Sequence, residues 1–131
     1  MNRYRPNWNS LHDHKVPDWY DSSKLGIFIH WGLYSVPAFA PPTGELGAIP
    51  DHEWFVSNPY AEWYYNSVNV GRGPTYEHHL KTYGADFKYE RFADMWKAEN
   101  WDPDRWAELF EEAGAKYVVV VSKHHDGFCL Y

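Results

Sequence analysis

Apolar residues gather into two short uninterrupted runs, Leu25-Gly26-Ile27-Phe28-Ile29 and Tyr117-Val118-Val119-Val120-Val121, each stopping abruptly in polar sequence. Runs of this length, without polar alternation and rich in β-branching, predict strands covered on both faces, as in a parallel sheet. Between Asp102 and Gly114 the period changes. Trp106, Leu109, Phe110 and Ala113 fall at i, i+3, i+4 and i+7, which predicts an amphipathic helix laid on a sheet. Asp102 is its N-cap, Pro103 its first helical residue, and Gly114 the left-handed residue that ends it. Strand, long excursion, capped helix, strand is the order of two parallel neighbours joined by a crossover.

The excursion carries weaker signals. Pro17-Asp18-Trp19-Tyr20 predicts a helical turn ahead of the first strand. Asn58 and Pro59 predict an N-cap and first helical residue, opening a helix through Glu62-Trp63-Tyr64-Tyr65. Two further helical pieces are expected over 75–83, an exposed helix carrying His78 and His79, and over 89–97. From Gly32 to Asn58 the prolines and glycines predict a long loop, which Tyr34, Val36, Phe39, Ile49, Trp54 and Phe55 should keep ordered.

A chain of 131 residues can form one domain with a core. Its 18 acidic and 12 basic residues, net −6, speak against nucleic acid, which requires a basic patch to displace counterions. No stretch approaches the roughly 18 apolar residues of a membrane span. The opening residues have no apolar segment of the secretory type, so the compartment stays unassigned. Cys129 is the single cysteine, which leaves no internal disulfide. Aromatic residues reach 20 %, several of them, such as Trp54, Tyr60, Trp63, Tyr64 and Tyr65, in polar sequence. Either they fill a core, or some line a cleft for a ligand with flat C–H faces and hydroxyls, such as a sugar.

Both apolar runs deliver chemistry just past their carboxyl ends, the edge at which parallel α/β sheets bind ligands. The first ends in His30-Trp31-Gly32, with His30 on the same face as Phe28. The second ends in Lys123-His124-His125-Asp126-Gly127, where neighbouring histidines can point apart and Asp126 could fix an imidazole tautomer. Core packing is the plain alternative for His30, and a polar loop for the second motif. Glu62 beside Trp63 offers a hydroxyl acceptor and a stacking surface, or simply a helix start anchored by an indole. His30, His124 and Asp126 are also metal-ligand types, which keeps a metal-dependent hydrolase open as an alternative.

Taken in chain order, Pro17-Asp18-Trp19-Tyr20, Gly26-Ile27-Phe28-Ile29-His30-Trp31-Gly32 through Ala38, Tyr60-Ala61-Glu62-Trp63-Tyr64 and Ala113-Gly114-Ala115-Lys116-Tyr117 through Phe128 resemble the glycoside hydrolase family 29 α-L-fucosidases from about Tyr4 onward. The resemblance implies an α/β fold, a (β/α)8-like TIM barrel of which residues 1–131 are the N-terminal part, about two strands with their helices. The rest of the barrel and a C-terminal β-sandwich are absent on this reading. It implies a cofactor-free retaining hydrolase of terminal α-L-fucosyl residues, with fucosylated glycans as partners. His30, Glu62, Trp63, His124 and His125 match positions that line the family's fucose pocket, and Phe28 is a candidate for its wall.

The family's aspartate nucleophile and glutamate acid/base belong to later strands, so they are expected beyond Tyr131 and no catalytic residue is assigned here. Retaining hydrolysis needs two carboxyl groups about 5–5.5 Å apart, and a barrel needs about 250 residues. The piece alone is therefore expected to be inactive, with Phe28, Val118 and Val120 uncovered and an open strand edge able to self-associate. The alternative within the same resemblance is a non-catalytic fucose-binding remnant.

Overall fold

The computed structural model describes residues 4–45 and 47–131. In chain order the elements are α1 (Trp8–His12), α2 (Asp18–Ser23), β1 (Gly26–Ile29), α3 (Tyr64–Asn69), α4 (Pro74–Tyr83), α5 (Phe92–Met95), α6 (Pro103–Glu112) and β2 (Tyr117–Val120). Short 3₁₀ turns at Leu33–Ser35, Asp51–Glu53, Ala61–Trp63 and Tyr89–Arg91 break up the segment between β1 and α5. No helix among the described residues is long and apolar enough to cross a membrane.

The chain divides into two compact units, Met1–Ile27 with Asp102–Val119, and Phe28–Trp101 with Val120–Tyr131. In the first, α6 has the ends its sequence dictates. The Asp102 side chain accepts from Arg105 N–H at 2.9 Å, satisfying one of the donors left free in a first turn. At the other end Gly114, at φ +84°, lets its own N–H reach Glu111 O at 2.8 Å and Ala115 N–H reach Phe110 O at 2.9 Å. That is the paired closure of a helix by a left-handed residue. Tyr117 packs against Trp19 and Tyr20, with ring centroids 6.1 and 5.2 Å away, and its ring lies over Gly26, where a β-carbon would collide with it.

The second unit holds the core. Leu33, Tyr34, Tyr64, Tyr89 and Phe92 are buried together, with Val36, Phe39, Tyr65, Val68, Tyr83, Phe87, Trp96 and Phe128 around them. Phe92 is fully buried and lies within about 6 Å of the rings of Tyr64, Tyr83, Phe87 and Tyr89, at angles from 52° to 85°. Such edge-on arrangements suit the ring quadrupole.

β1 and β2 pair in parallel as a two-stranded sheet: Lys116 N–H donates to Leu25 O at 3.0 Å and Val121 N–H to Ile29 O at 3.1 Å. Their burial departs from the expectation of two covered faces. Phe28 is 64 % exposed, and Leu25, Val118, Val119 and Val120 are also exposed. A parallel strand is buried only by neighbours and by helices on both faces, and two strands supply too few of either. Phe28, Val118 and Val120 are uncovered, as expected for an opened sheet. The same shortage shows on α6, none of whose residues is buried: Trp106 and Phe110 are half-buried, while Leu109 is 52 % exposed. A helix about 10 Å across outmatches two strands spaced about 4.8 Å.

Other boundaries shift for local reasons. Asn58 does not cap a helix; its Oδ1 accepts from Tyr60 N–H at 2.9 Å, and the first helical turn starts at Ala61. The 89–97 piece stops at Met95. His79, expected in an exposed helix, is 4 % exposed. Its Nε2 lies 3.1 Å from Phe87 O, so that nitrogen donates and Nδ1 accepts from the Tyr64 hydroxyl at 3.0 Å. α1 carried no signal singled out in the sequence; Asn7 caps it by accepting from Ser10 N–H at 3.0 Å.

Two substitutions test the packing of each unit. Gly26→Ala must displace the Tyr117 ring and is expected to lower unfolding stability by about 1–3 kcal/mol. Phe92→Ala empties the centre of the aromatic core and is expected to cost about 3–5 kcal/mol. Urea denaturation of the purified chain measures both, and a Phe92→Ala variant of unchanged midpoint would show that this core does not hold the fold.

Candidate functional site

The carboxyl ends of both strands belong to the second unit, and each hands over directly to polar and aromatic groups. His30 is the first residue after β1. Its ring stands 4.7 Å from that of Phe28, two residues earlier on the same strand face. After β2 the chain makes a tight return: Leu130 N–H donates to Ser122 O at 2.9 Å, and Lys123 bridges Cys129 antiparallel. His124-His125-Asp126-Gly127 forms the tip, closed by Gly127 N–H donating to His124 O at 3.0 Å.

The tip is tied to the core by Asp126. Its Oδ2 accepts from the Tyr89 hydroxyl at 2.6 Å, and its Oδ1 from Phe128 N–H at 3.1 Å. This corrects the reading of Asp126 as an imidazole partner: both oxygens serve the turn and the buried tyrosine. Charge-assisted bonds of this kind are about twice as strong as neutral ones.

Around this anchor the predicted rings meet. His124 is half-buried, with the rings of His30, Tyr34 and Trp63 at 5.3, 5.6 and 5.6 Å, all edge-on. His125 turns away by 89° and lies exposed, stacked on the Trp63 indole at 4.1 Å and 23°. The neighbouring histidines thus point apart, one inward and one onto an indole. Phe55 backs Trp63 at 5.5 Å. Glu62 joins His30, Tyr34, Ser35, Ala38 and Ala61 in lining a cavity of about 250 Å³.

The electrostatics favour neutral donors. Burial, followed by the charges of His125 and His30, holds His124 below the usual histidine range, against the opposing pull of Glu62 and Asp126. Burial, with Asp126 and then Glu62 adding to it, pushes Tyr34 up to about 12. Tyr89 is raised as well, first by burial and then by its hydrogen bond to Asp126. Among the described residues the Tyr34 hydroxyl and His124 Nδ1 are buried without a hydrogen-bond partner, and such groups cost free energy until something pairs with them.

His30, Trp63, His124 and His125 therefore come together, Glu62 shares a cavity with His30, and Phe28 covers the His30 ring. Among the described residues no three His, Cys, Asp or Glu side chains gather as a metal site, so the His30–His124–Asp126 alternative gains no geometric support. Tyr34 and Tyr89 were not singled out for chemistry. Tyr34 sits inside the motif that follows His30 and could have been considered; Tyr89 meets Asp126 across 37 residues, and nothing local announces it.

Comparison with known proteins places these features in a family. The family model described as alpha-L-fucosidase matches residues 1–131. An alpha-L-fucosidase of Dictyostelium discoideum is 39 % identical over 98 % of this chain and 25 % of its own length, and a plasma alpha-L-fucosidase of Homo sapiens is 38 % identical over 98 % and 24 %. A solved Thermotoga maritima alpha-L-fucosynthase in complex with alpha-L-Fuc-(1-2)-beta-L-Fuc-N3 superposes with a TM-score of 0.91 at 61 % identity, covering 98 % of this chain and 29 % of that one. The Thermotoga maritima alpha-fucosidase in complex with fucose gives a TM-score of 0.86 at 56 % identity over 98 % and 28 %. The chain thus spans about a quarter of the length of the curated relatives it matches.

Removing one hydroxyl tests the anchor. Tyr89→Phe is expected to cost about 1.5–3 kcal/mol, the range for hydrogen bonds to charged groups, with the histidine resonances of His124 and His125 broadened or shifted. The pH dependence has a definite sign. Because His124 is lowered in the folded chain, the unfolded chain binds the extra proton more readily, so stability rises with pH through this window. Its contribution is present above about pH 6.5 and is lost as pH falls toward the folded value. Denaturation midpoints followed from pH 7.5 to 5 should fall, and fall less in His124→Gln.

Proposed function

The chain belongs to the α-L-fucosidase family, and on that premise we propose that it builds the fucose-recognising wall of a retaining α-L-fucosidase, an enzyme that releases terminal α-L-fucosyl residues from glycans. β1 and β2 act as the first two strands of a (β/α)8-like barrel whose other strands lie in the part of the family's length that this chain does not span. Their parallel pairing and the uncovered side chains of Phe28, Val118 and Val120 support that placement. The observation that carries the reading is the meeting of His30, Trp63, His124 and His125 past the carboxyl ends of both strands.

Each group has a task that its chemistry suits. His30 and His124 exchange hydrogen bonds with sugar hydroxyls, which both donate and accept. Glu62 accepts from a hydroxyl. The Trp63 indole, held by its stack on His125, offers a flat apolar face to ring C–H bonds, and Phe28 forms wall. Glu62 is the one carboxylate lining the His30 cavity among the described residues, and Asp126 is committed to Tyr89 and Phe128. Two carboxyl groups about 5–5.5 Å apart are required for retention. We therefore assign nucleophile and acid/base to the later strands of the complete enzyme, and no turnover to this chain alone.

L-Fucose titrated into the isotope-labelled chain is expected to shift the imidazole signals of His30, His124 and His125 and the Trp63 indole signal. His30→Ala should weaken binding about tenfold, the loss of about 1.4 kcal/mol that one net hydrogen bond supplies. An aryl α-L-fucoside should remain unhydrolysed. Absence of fucose-induced shifts would overturn the pocket, and sustained turnover abolished by Glu62→Gln would show that the catalytic machinery is here after all.

A further inference from the structure

The adjacent histidines of α4 face different surroundings. His79 is buried, with its Nε2 donating to Phe87 O at 3.1 Å and its Nδ1 accepting from the Tyr64 hydroxyl at 3.0 Å, and this sets the rotation of the helix about its axis. One residue earlier, about 100° around the helix, His78 is half-buried and lies flat on Phe39, with ring centroids 3.8 Å apart and planes 4° from parallel. Aromatic pairs usually stand about 4.5–7 Å apart, so these two rings overlap over most of their faces. Phe39 also packs against the edge of the aromatic core. Burial, and then the like charges of His79 and Lys81, hold His78 below the usual histidine range. The ring on Phe39 is therefore flat and uncharged at neutral pH.

Phe39 follows a strained residue in the wall of the His30 cavity. Ala38 lines that cavity at φ +43°, a left-handed conformation that residues other than glycine adopt rarely and keep only where their surroundings enforce it. Its own N–H donates to Tyr34 O at 3.1 Å, but from there to Ala48 no backbone N–H among the described residues donates to a backbone carbonyl. Side chains must position this segment, and the one next to Ala38 is held by the core and by His78. We propose that His78 is a positioning residue for the fucose pocket: its stack on Phe39 holds Ala38 in the strained conformation that forms part of the cavity wall. His78 lies outside the lining of that cavity and acts through Phe39 alone. The inference rests on the fucose reading above and adds to it a residue remote from the ligand.

The test uses the full chain and the variants His78→Ala, His78→Tyr and Ala38→Gly, and reads two quantities: hydrogen exchange at the Ala38 amide, and L-fucose affinity by calorimetry. In His78→Ala the Ala38 amide is expected to exchange about fivefold faster and fucose to bind about fivefold more weakly, each equivalent to about 1 kcal/mol. The Gly84 amide, bonded to Leu80 O at 3.1 Å where α4 ends, should keep its rate and so show that the helix is intact. His78→Tyr retains a flat uncharged ring and should restore both values. Glycine takes a positive φ without strain, so in the Ala38→Gly background the affinity loss from His78→Ala should shrink below about twofold. An Ala38 rate unchanged by His78→Ala, a Gly84 rate that rises equally, no rescue by tyrosine, or the same affinity loss in both backgrounds overturns this inference and leaves the fucose pocket standing. If fucose binds to none of the chains, the fucose reading falls, and the exchange rates decide by themselves whether His78 holds the wall.

Discussion

The short hydrogen bond from Tyr89 to Asp126 ties the histidine turn to the aromatic core, beside the packing of Phe128 against that core. Tyr89 is packed against Phe92 at the centre of the aromatic core, and Asp126 sits in the turn that carries His124 and His125. A turn of four polar residues after a strand has few apolar contacts to fix its backbone. By accepting from a buried phenol at 2.6 Å and from Phe128 N–H at 3.1 Å, Asp126 transfers the rigidity of the core to the histidines. His124 can then keep His30, Tyr34 and Trp63 edge-on to it, and His125 can lie on the indole.

The aromatic content answers to both demands at once. Tyr64, Tyr89 and Phe92 fill the core, while Trp63, adjacent to Tyr64, stacks on His125. The core of this unit is built from short helices and turns, not from strands; β1 and β2 leave Phe28 and Val120 bare. Stability and site geometry therefore depend on rings packed at steep angles, whose positions are mutually restrictive in a way that aliphatic side chains are not.

What could be read beforehand follows from the range of each interaction. The ends of α6 were legible because Asp102, Pro103 and Gly114 act on backbone groups within a few residues of themselves. The parallel pair was legible because a crossover allows few alternatives. The histidine cluster was legible because strand ends on one edge are brought together by pairing alone. Burial was not: the cover of Val118 or Leu109 is decided by neighbours that two strands do not supply. His79 was misread for the same reason, since its partners, Tyr64 and the Phe87 carbonyl, are named by tertiary packing and not by helical position.

The charge state of the site follows from this burial and limits what it can hold. Tyr34 and Tyr89 remain protonated, and His124 is biased to its neutral form. The cavity thus presents the Tyr34 and Ser35 hydroxyls, the His30 imidazole and the Glu62 carboxylate, with no Lys or Arg among its lining residues in the described part of the chain. An anionic ligand would find no counter-charge there, and burying it would be costly. A ligand that is uncharged and brings several hydroxyls able to donate or accept would pair with the orphaned Tyr34 hydroxyl in this lining.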